Sequence, residues 1–74
     1  MPRSGFVIAV GTVLRHIQGA LCVGLSNGHV VYARPGRRAP EVGGIGVGET
    51  VRVEVTVADP RKGFVLERLG KHEG

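Results

Sequence analysis

The clearest pattern along the chain lies at Glu49 to Val57, ETVRVEVTV, where Val51, Val53, Val55 and Val57 alternate without a break with Thr50, Arg52, Glu54 and Thr56. A period of two with β-branched residues on one side predicts a strand half-buried on a core. Phe6 to Leu14, FVIAVGTVL, predicts a longer first strand. Phe6, Ile8 and Val10 fall on one of its faces, Val7 and Ala9 on the other, and Phe6 is assigned to the core. Gly11 interrupts this strand, and a glycine there marks a bulge or a sharp coil of the kind a small barrel needs. Arg15 to Gly19 is a turn-rich connection. Ala20 to Arg34, ALCVGLSNGHVVYAR, holds two β-type runs around Asn27-Gly28. That pair is the strongest short-range hairpin signal, because both residues tolerate positive φ. A two-residue turn pairs Leu25 with Val30. A three-residue turn with Gly28 left-handed, followed by a bulge, pairs Leu25 with Val31. The second register is preferred. It gathers Leu21, Val23, Leu25, Val31 and Ala33 on one apolar face and leaves His29, Tyr32 and Arg34 near the other. Phe64 to Leu69, FVLERL, predicts the last strand, after a turn built from Asp59-Pro60 and Lys62-Gly63.

Between the third and fourth strands, Pro35 to Gly48 holds five glycines and two prolines in fourteen residues. That composition excludes a regular helix and predicts a long loop, with one short helical turn near Arg38. Its glycines are not a phosphate loop, since no Gly-Lys-Ser/Thr and no helix follow. Five short strands are too few for a sandwich of ordinary size, and closure into a barrel removes exposed edges. The expected fold is therefore all-β: a five-stranded oligonucleotide-binding barrel (OB-fold) over residues 6–69, with a flexible leader at 1–5 and a flexible tail at 70–74. An SH3-like barrel competes, but usually has its long loop earlier in the chain.

Charge changes the picture more than size does. The net charge is +4, yet residues 1–40 contain no Asp or Glu and five Arg: Arg3, Arg15, Arg34, Arg37 and Arg38. A one-sided basic half predicts an anionic partner, and nucleic acid is the usual one. Cys22 is the only cysteine, so no internal disulfide forms, and with no signal peptide the expected location is cytoplasmic. No apolar run approaches a membrane span. His16, His29 and His72 lack the spacing of a metal site, and no cofactor is expected. Cys22 lies mid-strand with no base nearby in sequence, so a small, half-buried hydrophobe is expected rather than a nucleophile. The acids are scattered, Glu54 being expected to pair with an arginine across strands. The chain does not read as an enzyme. What remains is a binding surface made of His29, Tyr32, Arg34, Arg37, Arg38, Arg61, Lys62, Phe64 and Arg68, in which guanidinium forks suit phosphates and stack on bases. Few aromatics favour recognition of a folded RNA surface over a bare strand.

The residues Gly11-Thr12-Val13-Leu14, Leu25-Ser26-Asn27-Gly28-His29-Val30-Val31, Gly36-Arg37-Arg38, Val51-Arg52-Val53-Glu54-Val55, Asp59, Lys62-Gly63 and Arg68 follow in the order and near the spacing of bacterial translation initiation factor 1. Over about residues 6 to 68 the chain resembles that family, a one-domain S1-like OB-fold. The resemblance implies binding to the small ribosomal subunit at the A site. Its partners there would be the decoding region of the ribosomal RNA, a neighbouring ribosomal protein and the other initiation factors. It also implies a non-enzymatic monomer, with Arg34, Arg37, Arg38, Lys62 and Arg68 on phosphates and His29 on the same side. A general single-stranded RNA binder or RNA chaperone of the same fold is the second expectation. A protein-binding or self-assembling barrel, with Phe64, Leu66 and Leu69 as its adhesive edge, is the third.

Overall fold

A computed structural model describes residues 5–36 and 44–71. Five strands form: β1 (Phe6–Ile17), β2 (Ala20–Leu25), β3 (Val30–Pro35), β4 (Glu49–Thr56) and β5 (Lys62–Lys71). They close into a barrel in the order β1-β2-β3-β5-β4. All pairings are antiparallel except β3 with β5, which is parallel. This is the expected five-stranded, OB-like closed barrel. No helix among the described residues is long and apolar enough to cross a membrane. The helical turn expected near Arg38 falls outside the described residues.

The valine alternation in β4 acts as its pattern requires. Val51, Val53 and Val55 are buried and meet Val13, Leu21, Val23, Val31, Ala33, Ile45 and Val65 in one core. Val57 lies past the end of the strand and is exposed. Glu49 shares the inward parity and is buried too.

The β2–β3 hairpin keeps its predicted faces but not its predicted register. Leu21 pairs with Ala33 and Val23 with Val31, and the Leu25 N–H donates to the His29 carbonyl at 2.8 Å. The turn is therefore Ser26-Asn27-Gly28, with Gly28 at φ 90°, and Leu25 opposes His29 rather than Val31. The shift is two residues. Because side chains alternate with a period of two, such a shift leaves every residue on its own face.

β1 departs further from expectation. It runs on to Ile17, and the connection to β2 is only Gln18-Gly19, both at positive φ (33° and 82°), a two-residue hairpin turn. Gly11 is not the bulge. The register shift lies between Val13 and Arg15. Gly11 and Thr12 pair with β2 and β4 at once, and a Cβ on Gly11 would stand 2.6 Å from Val23 Cγ1 and 2.7 Å from the Gly24 carbonyl. Its role is close approach where the strand passes from one neighbour to the other. Phe6 is not core. Gly11 and Val13 fix the odd-numbered face as inward, so Phe6, Ile8 and Val10 point outward, at 53, 55 and 47 % exposure.

The loop ahead of β4 supplies a core residue that no periodicity announced. Past Thr12 the strand β1 has parted from β4, and the loop fills the gap. Gly48 N–H donates to the Val13 carbonyl at 2.9 Å, His16 Nε2 donates to the Ile45 carbonyl at 2.6 Å, and the Ile45 side chain is buried.

Candidate nucleic-acid interface

Parallel pairing of β3 with β5 sets Tyr32 beside Lys62 and Arg34 beside Phe64. Ala33, between the first two in sequence, is buried, as is Gly63 between the second two, so Tyr32, Arg34, Lys62 and Phe64 all point outward. A Cβ on Gly63 would lie 2.5 Å from the Glu54 carbonyl. The glycine thus lets β5 pass close between β3 and β4 and closes the barrel under the four side chains. Above them is a groove of about 600 Å³, lined also by Ile17, Gln18, Ala20, Thr56, Asp59 and Arg61. Its floor is apolar and aromatic, its rim mostly cationic. Tyr32 is 42 % and Phe64 38 % exposed, so both rings present area to a ligand.

Three cations, Arg34, Arg61 and Lys62, face one acid, Asp59. Arg61 Nε stands 3.5 Å and Lys62 Nζ 3.9 Å from the Asp59 carboxylate, with both cationic side chains 76 % exposed. Pairs so long and so hydrated hold little energy and give way readily to a phosphate. Arg34 has no acidic partner among the described residues. The β4–β5 turn that carries Arg61 and Lys62 is held by local bonds: the Thr56 hydroxyl donates to the Asp59 carbonyl at 2.7 Å and the Lys62 N–H to the same carbonyl at 3.0 Å.

His29 does not line the groove. Its Nε2 donates to the Pro60 carbonyl at 3.0 Å, and its N–H is capped by Asn27 Oδ1 at 2.9 Å. It ties the β2–β3 turn to the β4–β5 turn and so positions Arg61 and Lys62. Arg37 and Arg38 fall outside the described residues. Arg68 belongs elsewhere. Its Nε and Nη2 donate to the two oxygens of Glu49 at 2.6 and 3.1 Å. Glu49 Oε2 also accepts from Gly46 N–H at 2.8 Å. Arg68 is half-exposed, but its fork neutralises a buried carboxylate and secures the loop. Glu54 was expected to find an arginine across strands. The cross-strand pair is instead Arg52 with Glu67.

Five of the nine expected binding residues therefore share one groove: Tyr32, Arg34, Arg61, Lys62 and Phe64. Gln18 and Thr56 were missed. The first sits on a turn that Gln-Gly announces weakly, and the second alternates with core valines in β4, which says nothing of what it faces outside. Cys22 is a free thiol, and it is buried rather than half-buried. No three described His, Cys, Asp or Glu residues cluster as a metal site would require. No protein-family model matches this chain, and no curated protein is similar enough to stand as a relative.

Proposed function

We propose that this chain is a non-enzymatic RNA-binding barrel of the cytoplasm that acts at the A site of the small ribosomal subunit during initiation, beside the decoding-region RNA. The observation that carries this reading is the outward set Tyr32, Arg34, Lys62 and Phe64 on paired strands, two rings and two cations within one groove. Rings accept unstacked bases, and exposed cations accept the phosphates between them. The basic first half of the chain, and the ordered likeness of its motifs to translation initiation factor 1, support the ribosome as the source of that RNA. The mechanism is occupancy: a rigid barrel fills an RNA cleft and holds local RNA geometry, in company with the other initiation factors and a neighbouring ribosomal protein.

The test is binding of the purified protein to isolated small subunits and to an unrelated single-stranded RNA, each at two salt concentrations. Tight binding to subunits with chemical protection of the decoding region, and weak binding to the loose RNA, is the expected result. Equal affinity for both reduces the function to general single-strand binding. Binding to neither overturns the reading.

A further inference from the structure

β4 carries one acid that no described cation neutralises. Glu54 stands between the buried Val53 and Val55, so its side chain points outward, and it is half-buried. Arg52, its neighbour on the same face, is taken by Glu67. No ion pair or side-chain hydrogen bond joins Glu54 to another described residue. The strand register fixes its neighbours. Glu54 lies opposite Phe64 of β5 on one side and opposite Ile8 of β1 on the other. Phe64 in turn stands beside Arg34 of β3. The outward row is Ile8, Glu54, Phe64, Arg34, one residue from each of four adjacent strands.

Arg34 likewise has no acidic partner among the described residues. It lies two strand spacings from Glu54, ~9.6 Å, and the exposed Phe64 ring stands between them. A cation on one flank of a ring and a carboxylate on the other match the groups of one stacked nucleotide. Its base lies on the ring, its phosphate meets the guanidinium, and the outer edge of the base reaches the carboxylate. A carboxylate only accepts hydrogen bonds, so it selects a base by its donors. Guanine alone sets two donors, N1–H and N2–H, side by side on its Watson–Crick edge. Adenine and cytosine set one donor beside a bare ring nitrogen, whose lone pair would face the carboxylate. Uracil has one N–H between two carbonyls.

We infer that Glu54 selects the base stacked on Phe64, and that this base is a guanine of single-stranded RNA. Its N1–H and N2–H donate to the two carboxylate oxygens of Glu54, and its phosphate lies against Arg34. The inference rests on the reading of the groove as an RNA site and adds which base the site chooses. Ile8 and Phe64 flank the carboxylate with apolar surface, which strengthens hydrogen bonds made there. Glu54 also works against other sequences. Its charge repels phosphate, and only a base with two adjacent donors offsets that repulsion. Asp59, the acid that lines the groove itself, is already engaged. Its Oδ1 accepts from the Arg61 N–H at 3.3 Å, and the Arg61 and Lys62 side chains stand beside it.

Amide-shift titration of the full chain tests this, with short oligouridines that carry one guanosine, inosine, adenosine or cytidine. Low salt and RNA up to about 1 mM bring weak complexes into range. The guanosine oligomer is expected to bind roughly tenfold or more tighter than the adenosine or cytidine one, with the largest shifts at Gly63 and Phe64. Inosine lacks the N2 amine and is expected to fall between. Glu54→Gln keeps the size of the side chain but turns one acceptor into a donor. It is expected to lose the guanosine preference and to gain for adenosine, whose edge offers one donor and one acceptor. Glu67→Gln removes the same charge from the neighbouring strand and is expected to keep the preference. Dispersed spectra show that each variant is folded. Equal affinity for all four oligomers overturns the inference and leaves the groove as an RNA site without base choice. A preference that survives Glu54→Gln, or is lost in Glu67→Gln, overturns it too. So does the absence of shifts with any oligomer, and binding to small subunits then judges the RNA reading on its own.

Discussion

Replacing Ile45 with alanine asks whether the loop before β4 is a built part of the barrel or an excursion from it. The side chain is 1 % exposed in the core, and the backbone around it is held by His16, Val13 and Glu49. Truncation removes three carbons, and at ~0.8 kcal/mol per buried carbon group the transfer loss is about 2.4 kcal/mol. The void left behind adds to this, but the loop arm can settle inward. The total is expected at about 3 kcal/mol, in the lower half of the usual 2–5 kcal/mol for such truncations. Unfolding entropy of ~2.1 cal/mol/K per residue then converts the loss into a fall in Tm of about 20 °C for a chain of this size. Val47→Ala is the internal control: another β-branched residue two positions on, but 59 % exposed. Its change should stay within ~0.5 kcal/mol, or about 3 °C. Thermal melts by far-UV circular dichroism, checked against the emission of Tyr32, the only tyrosine in a chain without tryptophan, measure both. If the two variants shift equally and slightly, Ile45 is not core and the loop is not anchored.

Gly63→Ala should cost about 2–3 kcal/mol in urea unfolding, since its Cβ meets the Glu54 carbonyl at 2.5 Å and backbone cannot yield as a side chain does; Gly5→Ala, with nothing within 4 Å, should be neutral. Arg68→Ala is expected to lose about 2 kcal/mol of stability by stripping a buried carboxylate of its fork, less than for a fully buried pair because Arg68 is half-exposed. Arg34→Ala should instead leave the melt unchanged and flatten the salt dependence of RNA binding, by ~0.7 in log–log slope for one phosphate contact. Tyr32→Ala and Phe64→Ala should each weaken RNA binding by ~1–3 kcal/mol, while Tyr32→Phe keeps most of the affinity because the stacking ring remains. Unfolding scans and salt titrations measure these, and an Arg68→Ala variant that loses RNA affinity but no stability would reverse the roles assigned to the two arginines.

Where side-chain parity alone decides the outcome, the sequence was enough. Val51, Val53 and Val55 were readable as core, and the hairpin faces survived a register wrong by two because the error was even. Where the outcome depends on which strands become neighbours, the sequence was silent. Arg68 looked like one more free cation, because Glu49 is 19 positions away and meets it only through β4–β5 pairing. Ile45 stood alone among glycines, with no period to mark it as core. Gly11 signalled a special backbone position, but a bulge and a close approach carry the same signature along the chain. Phe6 was assigned inward on hydrophobicity, although parity with Gly11 and Val13 puts it outside. The groove was legible in its members and not in its assembly. Tyr32 and Lys62 are brought side by side only by the parallel contact that closes the barrel.

That parallel contact also orders events in time. The β1–β2 and β2–β3 hairpins join neighbours in sequence and can form early, whereas β3 must wait for β5, some thirty residues further on, and pairings of such long range are the slow ones. The pairing of β1 with β4 is of longer range still, but the groove is the surface of the β3–β5 contact, so a chain in which those two strands have not met has no groove at all. A ligand that grips both strands is a clamp on that closure, and its concentration sets how far the equilibrium leans to the closed barrel.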